Sequence, residues 1–188
     1  MKLSWSVSNI LILISAIFTV FASLYPQIYM FWVNNTFLDA GQYHIFFIQF
    51  FTGTFLHGWL FHLFANSLFL YLFWNILEML IWKNKFIIFF VFIVIFNGIW
   101  LSIFAWGNTI GISGFCMALL SYYTLELRWR NNPEYKWWIT ALVLNVWIWF
   151  MPGISLLWHL FWAIWGVIFY YIMKEYLKKK MVGLWSQW

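Results

Sequence analysis

The sequence predicts an all-α membrane protein, six transmembrane helices with the N-terminus and C-terminus both cytoplasmic. Three observations predict it. Of 188 residues, 65% are hydrophobic and 27% aromatic while 8% are charged, too few polar groups to clothe a soluble domain of this size. Six apolar stretches approach the ~20 residues that a helix rising ~1.5 Å per residue needs to cross ~30 Å of hydrocarbon. Threaded through a bilayer, they leave all ten Lys and Arg residues on one side, as the positive-inside rule requires of the cytoplasmic face.

The first span is expected over 10–32. Lys2 ahead of an apolar run from 10 to 22 has the outline of a signal peptide, with Val20-Phe21-Ala22 as a weak cleavage site. The apolar run continues through "SLYPQIYMFW", which favours a retained span. The loop 33–58 contains "HIFFIQFFTGTFL", apolar but too short to cross and broken by Gln49 and Thr52-Gly53-Thr54; it is expected in the membrane interface. The remaining spans are expected over 59–82, 86–106, 113–127, 137–151 and 155–173, the fourth and fifth being short. "WGNTI", ahead of the fourth, is expected to dip into the protein. Lys2, Lys83, Lys85, Arg128, Arg130, Lys136, Lys174 and Lys178 to Lys180 then all face the cytoplasm, and the outer loops 33–58, 107–112 and 152–154 carry no basic residue. No repeat period or composition shift divides the chain, so residues 1–188 read as one domain, with "KEYLKKKMVGLWSQW" as a cytoplasmic cap on the last helix.

Composition also narrows function. A single cysteine, Cys116, excludes an intrachain disulfide, and neither it nor the four histidines have metal-ligand spacing; no metal or cofactor is expected. The net charge of +5 is gathered at span ends rather than along one face, so it reads as a topology signal and nucleic acid is not an expected partner. The lipid bilayer is.

Polar side chains within spans are expensive, and each is a candidate for function. His62 and Asn66, at i and i+4, share a helix face. Counted from the cytoplasmic ends, Ser113 lies ~20 Å, His159 ~22 Å and Asn66 ~18 Å up their helices, so these groups share one layer. A serine and a histidine at one depth suggest a nucleophile and its general base, with a nearby His and Asn as donors to an oxyanion. At a helix N-terminus, Ser113 also meets the positive end of the helix dipole. The plainer alternatives stay open: Gly114, Ala118 and Ser121 form a small-residue packing stripe, and isolated intramembrane His or Asn residues often join helices. Packing suffices for Cys116, interhelical hydrogen bonds for Asn75, Asn97 and Asn145, solvent for His44 and interfacial belts for many of the seventeen Trp.

"HGWLFHLFAN" places His57, His62 and Asn66 at a spacing, and "GISG" places Gly111, Ser113 and Gly114 in a motif, that together resemble the rhomboid intramembrane serine proteases over nearly the whole chain. Glu78 resembles the family's acidic residue at the cytoplasmic end of the second helix, and His159 its sixth-helix histidine. The resemblance implies a Ser/His pair without a carboxylate: Ser113 as nucleophile, His159 as base, and His62, Asn66 and the Ser113 N–H around the oxyanion. His57, Gly111, Gly114, Glu78 and Gly166 would be structural, with His57 near the outer water. The implied substrates are transmembrane segments of other proteins, and the implied location is the cell membrane. Oligomeric state is left open. The chain departs from the family in having Ile48-Gln49 for a Trp-Arg pair, Met117 for an aromatic that stacks on the base, and Trp158 and Trp162 for small residues around His159. Two placements are open for Trp162: at the interface, where its bulk would part the fourth and sixth helices, or at the rim, toward lipid, if the small face of His159, Ala163 and Gly166 makes the contact instead. A rhomboid-like protein that binds transmembrane helices without cleaving them is the alternative function. A transporter or channel is disfavoured because the spans offer no buried acidic or basic residue.

Overall fold

The computed structural model describes residues 6–104, 109–148 and 156–185. The chain divides into two compact units, Met1–Cys116 and Met117–Trp188, the division falling inside one helix.

In the first unit, α1 (Val7–Leu24) starts at Ser6, whose hydroxyl accepts from the Asn9 N–H at 3.1 Å. It stops eight residues short of the expected span end, because Pro26 has no N–H to donate and restricts Tyr25 before it; Pro26–Phe31 continues as a 3-10 turn. After α2 (Thr36–Asp39) comes α3 (Tyr43–Phe55), which contains the stretch expected in the interface. One face of α3 buries Phe46, Gln49, Phe50 and Gly53, and the other exposes Tyr43, Phe47, Ile48 and Phe51. Gln49 does not break this helix. Its Nε2 donates to the Met30 carbonyl at 3.2 Å while the Thr52 hydroxyl donates to that of Phe31 at 2.8 Å, tying α3 to the 3-10 turn.

A bend of 79° separates α3 from α4 (Leu60–Phe69). A π turn at Leu70–Trp74 and α5 (Asn75–Ile81) extend α4; such turns occur mostly as single insertions within α-helices. Trp82, at φ 72°, separates α5 from α6 (Lys83–Phe104). Phe86, Phe89 and Phe90 of α6 surround Phe115 edge-on at 5.1 to 5.6 Å. At the opposite end of the unit, Val33 and Thr109 form an isolated antiparallel bridge.

α7 (Ser113–Trp129) begins at the serine where the fourth span is expected and runs into the second unit, which adds α8 (Tyr135–Ile148) and α9 (Leu156–Trp185). α7 and α9 cross at Gly166, where an added Cβ would overlap the Ala118 carbonyl and the Ser121 hydroxyl. The Ser121 Oγ donates across the crossing to the Ala163 carbonyl at 2.8 Å. Small side chains here admit backbone contact, the basis of helix association in lipid. Toward the end of α7, Glu126 accepts from Arg130 at 2.8 Å and from Lys174 at 3.3 Å, and the Lys174 ammonium lies 3.2 Å from the Trp129 ring centre.

Among the described residues, Val7–Leu24 and Lys83–Phe104 are each long and apolar enough to cross a membrane, and the bent pair Tyr43–Phe55 with Leu60–Leu72 is a third such stretch if it acts as one. Exposed side chains such as Leu13, Ile17, Ile88 and Ile103 give these helices an apolar outer surface. Most of "WGNTI", the loop 152–154 and residues 1–5 lie outside the described residues.

Candidate active site

The GISG turn is shaped by Gly111. Its φ of 109° is a conformation that side chains resist, and its N–H donates to the Gly53 carbonyl at 2.8 Å, fastening the turn to the end of α3. A Cβ at this position would stand 2.7 Å from Cε1 and 3.0 Å from Nε2 of His62. The backbone therefore approaches one edge of the His62 imidazole as only glycine permits. Two residues later Ser113, partly exposed, is the first residue of α7. Its amide belongs to the turn that carries the positive end of the helix dipole.

One turn along α4 from His62, the side chain of Asn66 is buried, and its Nδ2 has no hydrogen-bond partner among the described residues. Leaving an amide donor unsatisfied costs roughly 1–3 kcal/mol. His62 packs edge-to-face on His57, with ring centres 4.9 Å apart. His57 is fully buried: its Nδ1 donates to the Phe55 carbonyl at 3.1 Å and lies 3.3 Å from the Thr19 hydroxyl, and its own carbonyl accepts from the Tyr29 hydroxyl at 2.9 Å. His57 thus joins α1, the 3-10 turn and the start of α4, contacts too distant in sequence for any motif to announce.

Glu78 is buried at the other end of this unit, where Oε1 accepts from the Val7 N–H at 3.0 Å and Oε2 from the Ser8 N–H and hydroxyl at 3.1 and 3.3 Å. A carboxylate capping a helix N-terminus satisfies amides the helix leaves unbonded. Glu78 and Glu126 correct the expectation that the spans bury no acidic residue: both are buried, each held by donors at a helix end.

In the second unit, His159 lies in the first turn of α9 and is 9% exposed. Of the two placements open to Trp162, the structure excludes the rim. Trp162 is 5% exposed rather than turned to lipid, and its ring stands at 85° to the His159 imidazole, 5.0 Å between centres. The reason is register: at i+3, Trp162 shares a face with His159. Gly166 stays at the α7 crossing. Trp158's side chain lies outside the described residues. Gly114, Cys116 and Met117 are all buried.

The structure thus brings His57, His62 and Gly111 together beside the start of α7, one turn of α4 from Asn66. Sequence reasoning missed Gly53, Thr19 and Tyr29 as supports, for which no local signal exists. No curated protein and no solved structure matches the chain. The Rhomboid domain profile matches residues 44–176, which takes in α3 to α8, the GISG turn and His159. Spanning well over half of an apolar, helical chain, that match makes this integral membrane protein a member of the rhomboid family.

Proposed function

We propose that the protein is an intramembrane serine endopeptidase, one six-span domain over residues 1–188 in the cell membrane, with both termini in the cytoplasm. Its substrates are transmembrane segments of other membrane proteins. The observation that carries the reading is the approach of Gly111 to His62, because it sets an imidazole edge beside the turn from which Ser113 starts a helix. The buried Asn66 donor supports it.

In the proposed reaction, the Ser113 Oγ attacks the scissile carbonyl carbon as His159 takes the hydroxyl proton. The carbonyl oxygen becomes an oxyanion that accepts from His62, Asn66 and the Ser113 N–H; such donors are worth roughly 3–4 kcal/mol when one is removed. His159 returns the proton to the leaving amine as the C–N bond breaks. Water, deprotonated by His159, then hydrolyses the acyl ester and regenerates Ser113. No metal or cofactor takes part. His57, Gly111, Gly114, Glu78 and Gly166 hold the frame.

A second reading, a rhomboid protein that binds transmembrane helices without cleavage, is favoured by one observation: the bulk of Trp162 is buried against His159. Labelling of the purified protein with a fluorophosphonate probe separates the two. Wild-type labelling that both Ser113→Ala and His159→Ala abolish is expected. A folded wild type that does not label would refute the protease and leave the binding reading.

A further inference from the structure

We infer that Trp162 is a positioning residue for His159, holding its imidazole from within the same helix. The inference rests on the reading of His159 as the base. A tryptophan on a lipid-embedded helix gains nothing by leaving the apolar exterior, since lipid tails are as apolar as the protein interior. On α9, Leu160, Ile164 and Ile168 do face outward. Trp162 does not. Within that buried face it stands at right angles to the His159 ring, 5.0 Å between centres, a geometry aromatic rings favour.

An imidazole has two side-chain torsions, and a ring set edge-to-face against it restricts the outer one. The two residues move together because both belong to α9, three positions apart. Trp162 does this without opening the helix crossing. The crossing is made by Ala163, whose carbonyl accepts from Ser121, and by Gly166 one turn beyond Trp162. Met117, four residues after the serine, is buried but supplies no ring; α9 supplies one, from Trp162.

The test measures fluorophosphonate labelling of the full chain in detergent at several probe concentrations, for wild type, Trp162→Leu, Trp162→Phe and Trp162→Gly. Losing the ring in Trp162→Leu is expected to lower the maximal labelling rate about two- to tenfold, while the half-saturating probe concentration stays unchanged. Trp162→Phe, which keeps a ring, is expected to restore most of the rate. Should the leucine variant fail to fold, Trp162→Met replaces it. In parallel, NMR of protein carrying labelled histidine should show His159 protons displaced by the Trp162 ring, the displacement vanishing in the leucine or methionine variant. A leucine variant that labels like wild type overturns the inference and leaves the protease reading standing. So does faster labelling by Trp162→Gly, which would make Trp162 an obstruction. A wild type that does not label overturns the protease reading, and the positioning role falls with it.

Discussion

Replacing Gly166 by alanine should separate α7 from α9. The added Cβ would overlap the Ala118 carbonyl and Ser121 hydroxyl and stand 2.7 Å from the Ala118 Cα. Two of these neighbours are backbone atoms and cannot rotate away, so the helices themselves must part by about an ångström to reach ordinary contact distances of roughly 3.5–4.0 Å. That movement stretches the 2.8 Å bond from Ser121 to the Ala163 carbonyl beyond hydrogen-bonding range. An interhelical hydrogen bond in a membrane protein is worth about 0.6 kcal/mol, and overpacking strain adds about 1–3 kcal/mol, giving a loss of roughly 2–3 kcal/mol. Unfolding by SDS in mixed micelles would measure it, with Ser121→Ala and the double variant completing a cycle. Because the parted helices no longer form the hydroxyl bond, Ser121→Ala should cost less in the Gly166→Ala background than in wild type. A Gly166→Ala protein within about 0.5 kcal/mol of wild type, or strictly additive variants, would refute the reasoning.

Gly111→Ala should lower fluorophosphonate labelling more than about tenfold, from left-handed strain of roughly 1–3 kcal/mol and from displacement of His62. Gly41→Ala is its control: Gly41 also has a positive φ, 70°, but nothing stands within 4 Å of an added Cβ, so labelling should persist. Glu78→Gln replaces one acceptor oxygen by an NH2 group that meets donors, and should destabilise the fold by about 1–3 kcal/mol in SDS unfolding; a neutral effect would refute its capping role.

How much of this was legible beforehand depends on the kind of information each feature carries. The membrane character follows from composition, a property of the chain before it folds. That His62 and Asn66 share one face of a helix was legible because i, i+4 spacing is local geometry. The early end of α1 is legible in principle too, since Pro26 stands inside the expected span; the apolarity that defines the span measures compatibility with lipid and not helical continuity.

The inward turn of Trp162, the cap that Glu78 places on α1 and the burial of His57 were decided by tertiary structure alone. In a soluble protein, the alternation of polar and apolar residues tells which face of a helix is buried. A helix in lipid is apolar on every side, and its sequence no longer records which face meets another helix. Composition and motif spacing were therefore enough to identify a rhomboid family member, but that the face of α9 carrying His159 and Trp162 is a buried one emerges only when the helices are packed.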